Sequence, residues 1–454
     1  MQRLEAIKPG VRACLIGIGG VSMSSLAFAL ARRGLTVWGS DRSKNELTDR
    51  LEAAGIRVVH EHRGDTVEGA DVVIRTAAVH DENPEIVRAR ELGIPVLERA
   101  EAWGQIMRAY RDVICIAGCH GKSSTTGLAA QIALEAGLDP SVMIGAELPA
   151  IGGNYRIGAG GLFIAEACEY CDSFLQFPPT IAVINNIEED HLDYFKNLEN
   201  IKRSFRKFAG LVPAQGAVAA NRDSENVRST LADYDGRIVW FGLGEGCAVT
   251  ARDVVTERGY PVFTLVRPDG ERRVRLRIPG EYNIYNALAA AAAFYVLGVD
   301  PDTTARGIAA YGGIARRFEH CGELDGVPVV DDYAHHPTAL HELLTAVREM
   351  GYQRIICAFQ PHTYSRTAAL YEEFKAALSL ADVVLLADVY AAREDNIYGV
   401  DMARMAQEIP NAVYLGDFER IAAQIRGMVR PGDIVLTVGA GDIWHVNRML
   451  TGRA

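Results

Sequence analysis

No stretch of this 454-residue chain is long and apolar enough to span a membrane; the longest apolar run, Leu288 to Leu297, is short and Ala-rich. The opening residues, Met1-Gln2-Arg3-Leu4-Glu5, lack the apolar segment of a secretory leader, so no membrane partner and a cytoplasmic location are expected. Positive charge is in deficit. Lys and Arg number 47 against 58 Asp and Glu, a net charge of −11, which argues against nucleic acid or an anionic membrane as the main partner. Phosphate ligands stay open, because a few local amides and cations suffice to hold them. A second cysteine pair is missing too. Cys168 and Cys171 make one Cys-x-x-Cys, but nothing at matching spacing completes a zinc site, and the eight cysteines read as reduced thiols.

Apolar residues at 49% and charged residues at 23% describe a globular protein, and the length calls for two to four domains. The most informative stretch is Ile114-Cys115-Ile116-Ala117-Gly118-Cys119-His120-Gly121-Lys122-Ser123-Ser124-Thr125. A short apolar run reads as a buried strand, a glycine-framed turn follows, and a helical segment runs on from Thr126 to Ala136. Strand, Gly-x-x-Gly-Lys-Ser, helix is an arrangement that holds nucleotide phosphates. Glycines turn the backbone N–H groups toward oxygen anions, Lys122 supplies a full charge, and the Ser123 hydroxyl can ligate Mg²⁺. The loop has two residues between its glycines where the common pattern has four. ATP is the expected ligand.

Upstream, Ala13-Cys14-Leu15-Ile16-Gly17-Ile18-Gly19-Gly20-Val21-Ser22 opens a βαβ unit whose second strand, Thr36 to Gly39, ends at Ser40-Asp41. The third glycine of a dinucleotide fingerprint is displaced. What remains is a diphosphate over a helix start and a sugar hydroxyl near Asp41, both of which a UDP-sugar offers. Strands at Val58-Val59, Val72-Val73-Ile74 and Pro95-Val96-Leu97 complete a small parallel sheet ending near residue 105. Further along, Leu162 to Glu166 and Ile181 to Asn186 are apolar strands with polar ends. They should bring Glu166 and Glu188-Glu189-Asp190-His191 close to the loop at 118–124. Residues 215–280 read as an added β-layer; Asn283 and Asn286 lie on one face at the start of an Ala-rich helix, where they could read adenine or cap the helix. From Arg316-Arg317-Phe318 onward strands and helices alternate again, as in a doubly wound sheet. Its polar strand ends gather His335, Gln360, His362 and Arg366, groups suited to a small zwitterion.

Eight blocks in this order resemble the Mur ligase family along nearly the whole chain. They are Gly17-Ile18-Gly19-Gly20, Gly118 to Ser123, Glu166-Ala167-Cys168-Glu169-Tyr170, Asn186 to His191, Asn283 to Ala290, Arg316-Arg317-Phe318, Asp332 to Pro337, and Phe359 to Arg366. The resemblance implies an α/β protein of three domains. These are a Rossmann-like UDP-sugar domain (1–105), a central P-loop ATPase-like domain with an added β-layer (106–314), and a Rossmann-like amino-acid domain that closes over the other two (315–454).

By position it implies ATP contacts from Gly118, Cys119, His120, Gly121, Lys122, Ser123, Ser124, Asn283, Asn286, Arg317 and Asp332. UDP-sugar contacts fall to Gly17, Gly19, Gly20, Ser22 and Asp41. Mg²⁺ ligands are expected at Ser123, Glu166 and His191, and amino-acid contacts at Tyr333, His335 and Arg366. The catalytic group is then Lys122, Glu166, His191 and Arg317. Cys119 and Ser123 stand where relatives carry Thr, Tyr282 where they carry His, and Cys168 and Cys171 where many are acidic. Phe205 matches the place of a carbamylated lysine in other branches, so none is expected. The implied activity joins L-alanine to the lactyl carboxylate of UDP-N-acetylmuramate through an acyl phosphate, as monomer or homodimer; the alternatives are a ligase adding a tripeptide to the same sugar and an inactive nucleotide-binding relative. An NAD-dependent oxidoreductase built on the Gly17 turn would leave the loop at 118–124 without purpose.

Overall fold

The computed structural model describes residues 7–76, 78–392 and 394–452, so the stretch Met1 to Glu5, where no leader is expected, lies outside it. The chain forms two compact units, one of residues up to 249 with 289–300, the other of residues 250–288 with those from 301 on.

The first unit holds two sheets. One is parallel and five-stranded, with β1 (Arg12–Ile16), β2 (Thr36–Ser40), β3 (Arg57–Val59), β4 (Val72–Arg75) and β5 (Val96–Glu98) in the order β3-β2-β1-β4-β5. The order reverses beside β1, and helix α1 (Val21–Arg32) starts there, at the switch point where such sheets take ligands. The other sheet has β6 (Asp112–Ala117), β7 (Ser141–Leu148), β8 (Gly153–Arg156), β9 (Leu162–Glu166), β10 (Ile181–Ile184), β11 (Ala217–Asn221) and β12 (Ile238–Phe241) in the order β12-β11-β10-β6-β9-β7-β8. Only β7 and β8 pair antiparallel. Strand β6 is central and feeds helix α2 (Lys122–Glu135).

Strands such as Ile181-Ala182-Val183-Ile184 are buried along their whole length, which is why they read as continuous apolar runs. In β11 Ala217 to Ala220 are buried likewise, and this corrects one expectation. Residues 217–241 join the central sheet, and the added layer begins only after them. Aromatic rings fill the core: Phe174 stacks on Phe208 at 4.6 Å and meets Phe205 edge-on at 5.2 Å, all three fully buried. Phe205 therefore presents no ligand atom.

The second unit has an antiparallel sheet, β13 (Thr250–Glu257), β14 (Tyr260–Arg267) and β15 (Gly270–Arg275), which is the added layer. Its main sheet is β16 (Glu319–Leu324), β17 (Val327–Asp332), β18 (Arg354–Phe359), β19 (Val383–Ala387), β20 (Ala412–Gly416) and β21 (Asp433–Val438), ordered β16-β17-β21-β18-β19-β20. Pairing of Val438 with both Asp332 and Phe359 sets three strand ends level, so the loops after β17, β18 and β21 share one edge. Helix α3 (Tyr282–Leu297) starts in this unit, and its residues from 289 on belong to the first; after Asn286 it is apolar, and Ala287 to Phe294 are fully buried. No helix among the described residues is long and apolar enough to cross a membrane.

Candidate functional site

The loop after β6 is shaped by its glycines. Gly118 has φ +141°, and a Cβ there would sit 3.0 Å from Asn185 Cβ and 3.1 Å from Asn186 N. Gly121, at φ +77°, caps α2 in the left-handed region that glycine enters without strain. Strands β6, β9 and β10 are neighbours in register, with Ile116 opposite Glu166 and Ala117 opposite Ile184, so the segments following them converge as expected. The loop is tied to the segment after β10. His120 N donates to Asn186 Oδ1 at 2.8 Å, and Asn186 Nδ2 donates back to His120 O at 3.1 Å. Cys119 Sγ donates to Glu188 O (3.3 Å) and accepts from Glu188 N (3.2 Å). Its thiol thus does the job a threonine hydroxyl would do. Burial, with the charge of Glu169 adding, pushes the thiol pKa up, so it stays protonated.

Lys122 folds back over its own loop, donating to the carbonyls of Gly118 and Cys119 and to Glu169 Oε2 at 3.1 Å. Glu169 is 1% exposed. Burial is the largest influence and works to lower the Lys122 pKa, but Glu169, with Cys168, Cys119 and Glu166 adding, together turn the net direction up. The ammonium is therefore charged and aimed into the loop's concavity.

Among the described residues, Glu169, Asp190 and His191 present ligand atoms within 4.8 Å of one another. Of the three expected metal ligands, His191 is in this group. Glu166 points to Gly145, whose N–H it accepts at 2.7 Å, and Ser123 is buried in the first turn of α2. Glu169 and Asp190 were not singled out from sequence, although both stand in family-like blocks. His191 has a left-handed backbone (φ +51°), and the Tyr170 ring lies 4.6 Å from its imidazole.

At the end of β1, Gly19 N donates to Asp41 Oδ2 at 2.9 Å while Ser43 N takes Oδ1 at 3.0 Å. Asp41 thus shapes the glycine turn with both oxygens. Gly20 caps α1, and the Ser22 hydroxyl accepts from the Arg99 guanidinium. Arg99 was missed in the sequence. Burial lowers its pKa, and among the described residues it has no carboxylate bonded to it.

In the second unit, the buried amides of Asn283 and Asn286 bond to each other at 2.8 Å, and Asn283 Nδ2 also reaches Pro279 O at 2.6 Å. Asp332 accepts from Phe318 N and Ala334 N, both at 2.8 Å; burial raises its pKa against the opposing pull of Arg317. Arg316 and Arg317 lie over the Tyr333 ring at 4.9 and 5.1 Å. His335 and His362 sit with ring centres 6.0 Å apart, and Arg366 donates to His362 Nδ1 at 3.3 Å. Gln360 drops out of this group, because its buried side-chain oxygen accepts from Ile443 N at 3.1 Å.

Three family models match the chain: "Mur ligase family, catalytic domain" over residues 14–111, "Mur ligase middle domain" over 116–294, and "Mur ligase, glutamate ligase domain" over 316–441. The UDP-N-acetylmuramate–L-alanine ligase of Acetivibrio thermocellus is 44% identical over 99% of this chain and 98% of its own. The enzyme of that name from Caldanaerobacter subterraneus subsp. tengcongensis is 45% identical over 95% of each. Among solved structures, a UDP-N-acetylmuramate–alanine ligase from Thermotoga maritima aligns with a TM-score of 0.82 and 28% identity, covering 97% of this chain and 98% of that one.

Proposed function

The chain belongs to the Mur ligase family, and from that premise we propose that it joins L-alanine to the lactyl carboxylate of UDP-N-acetylmuramate at the expense of ATP, a step of peptidoglycan precursor synthesis. The observation that carries this reading is the loop Gly118 to Ser124, with Lys122 aimed into it and the carboxylate–imidazole group of Glu169, Asp190 and His191 beside it.

A carboxylate resists attack by an amine, so it must first be activated. Transfer of the terminal phosphoryl group of ATP to the sugar's carboxylate gives an acyl phosphate. The loop amides, the start of α2 and Lys122 neutralise charge on the group in flight. For that, Lys122 exchanges its loop carbonyls for phosphate oxygens. The nearby donors fit a hard divalent cation, since two carboxylates and one imidazole converge within 4.8 Å. Mg²⁺ held by Glu169, Asp190 and His191, with Ser123 and Glu166 as further candidates, would supply charge neutralisation when bound. The glycine turn at Gly17, Gly19 and Gly20, the start of α1 with Ser22, and Arg99 form the proposed seat of the UDP diphosphate, with Asp41 holding the turn in shape. In the second unit, Asn283, Asn286, Arg317 and Asp332 are the proposed nucleotide contacts, and Tyr333, His335 and Arg366 the amino-acid contacts. The proposed functional division is 1–105, 106–314 and 315–454, and substrates of this kind put the enzyme in the cytoplasm.

The test is phosphate release from ATP with UDP-N-acetylmuramate and either L-alanine or a peptidoglycan tripeptide, with Lys122→Ala as the blank. Alanine-dependent release supports the reading. Release with the tripeptide alone would make the enzyme a peptide-recycling ligase, and release with neither an inactive relative.

A further inference from the structure

Amide formation leaves one chemical duty unassigned. The incoming amino acid arrives as an ammonium ion, and its nitrogen has no electron pair to attack with until a proton is removed. Among the described residues of the second unit, the loops after β17, β18 and β19 bring together Tyr333, His335, His362, Arg366 and Tyr390, with Arg316 and Arg317 over the Tyr333 ring. Most of these are committed. Arg366 donates to His362 Nδ1, His362 stacks on Tyr390, and Arg316 bonds Asp331 Oδ2 at 3.0 Å.

His335 differs. Its Nδ1 lies 2.9 Å from the Tyr333 carbonyl oxygen, an acceptor, so Nδ1 carries the ring proton and donates it. That bond fixes the tautomer and leaves Nε2 with a lone pair. The Tyr333 ring stands edge-on at 5.3 Å and holds the imidazole plane. A neutral imidazole of fixed tautomer, close to Arg366, whose guanidinium suits the amino acid's carboxylate, is an acceptor waiting for a cationic donor.

We propose that His335 is the base of the ligation step, taking a proton from the ammonium of the bound amino acid through Nε2. This rests on the reading of the protein as an amino-acid ligase. The ammonium N–H bond breaks and its proton passes to Nε2. The freed nitrogen pair forms the C–N bond to the acyl carbon as the C–O bond to phosphate breaks, and phosphate leaves with that electron pair. The second nitrogen proton departs with the phosphate, and the imidazolium returns its own proton to solvent.

The electrostatics give this base a built-in condition. Burial first, then the charge of Arg366, with Arg317 and His362 adding, push His335 down to about 3, while its bond to the Tyr333 carbonyl works the other way. Such an imidazole is a weak base in the free enzyme. When the amino acid's carboxylate pairs with Arg366, the second-largest depressing influence is cancelled and the basicity of Nε2 rises. The basicity of His335 is thus coupled to binding of the amino acid, while burial, the largest influence, stays in place. The other titratable groups facing the pair are His362, itself lowered by burial and Arg366, and Glu394, which accepts from Ser365 at the start of the Arg366 helix.

The experiment compares wild type with His335→Asn, whose amide can still donate to the Tyr333 carbonyl but has no ring nitrogen to protonate, and with His335→Gln. Two nucleophiles are used with UDP-N-acetylmuramate and ATP: L-alanine, and hydroxylamine, which is neutral at pH 7 and needs no base. With alanine, kcat at pH 7 is expected to fall about 10²- to 10⁴-fold in both variants, the range of a lost general base, with little change in the alanine KM. The residual rate should climb tenfold per pH unit as free amine appears. Hydroxamate formation should persist near the wild-type rate. Equal loss with hydroxylamine, or a raised alanine KM at unchanged kcat, overturns the proposal. If wild type itself forms neither amide nor hydroxamate, the ligase reading fails instead.

Discussion

At the scale of single residues, the loop carries a cysteine where the family resemblance implies a threonine, and keeps its bonds. Cys119 makes the two hydrogen bonds to the Glu188 backbone that a threonine hydroxyl could make. Cys119→Thr should therefore keep turnover near wild type. Cys119→Ala removes both bonds to the Glu188 backbone, at a cost of about 1–3 kcal/mol, read as a lower midpoint in thermal denaturation. Because burial raises its thiol pKa, Cys119 should resist iodoacetamide at pH 8 while the exposed Cys171 is labelled, which mass spectrometry of the native protein resolves. Labelling of Cys119 at the rate of Cys171 contradicts the buried assignment. Arg99 supports a separate expectation. A cation bonded to Ser22 at the start of α1, with no carboxylate bonded to it among the described residues, suits a diphosphate. Loss of one charged hydrogen bond is worth about 1.5–3 kcal/mol, or about 10- to 100-fold. Arg99→Ala should raise the KM for the UDP-sugar by that factor and leave the ATP KM unchanged; unchanged KM for both substrates would remove Arg99 from the site.

At the scale of elements, the turn between β6 and α2 depends on Gly118. Alanine there would bring a Cβ to 3.0 Å from Asn185 Cβ in a backbone conformation side chains rarely adopt, so Gly118→Ala should fold yet lose ATP-induced thermal stabilisation. Phe208→Ala should cost about 3–5 kcal/mol by opening the aromatic core, read as a lower midpoint in thermal denaturation. The contrast between these two elements explains what could be read in advance. Strand, loop and helix at 112–135 are contiguous, so the sequence carries their whole signal. Glu169 is brought to Lys122 by an irregular turn with left-handed Cys171 (φ +54°) and Asp172 (φ +55°), a shape no periodicity announces. Arg99 meets Ser22 across 77 residues and only because β5 lies two strands from β1, an order local pattern does not encode. Gln360 failed in the opposite sense, since a polar residue at a strand end looked available until Ile443 N–H was found on it. β11 and β12 fall within the strand-rich stretch 215–280 read as one added layer, but they pair in parallel with β10 and with each other. Burial of both faces of β11 decides for the central sheet.

At the scale of the whole molecule, two compact units each have their own buried core, one centred on Phe163, Phe174 and Phe208, the other on Leu344, Phe359 and Phe374. The proposed contacts for the UDP-sugar, Gly17 to Ser22 and Arg99, all belong to the first unit, whereas Tyr333, His335 and Arg366 belong to the second. A chain of this kind need not unfold as one two-state system. Ligand binding stabilises whatever cooperative unit holds the site, by about 2.7 kcal/mol at 100 times Kd. For a unit of about 150–250 residues, each kcal/mol shifts the midpoint by about 2–4 °C. Scanning calorimetry should then resolve two transitions, and saturating UDP-N-acetylmuramate alone should raise one of them by about 5–10 °C. Limited proteolysis at the temperature between the transitions identifies which unit has opened. Arg99→Ala should shrink the shift, and His335→Asn should leave it intact, because the two substitutions fall in different units. A shift that survives in Arg99→Ala and vanishes in His335→Asn would reassign the sugar site to the second unit, and an equal rise of both transitions would deny that the first unit alone holds it.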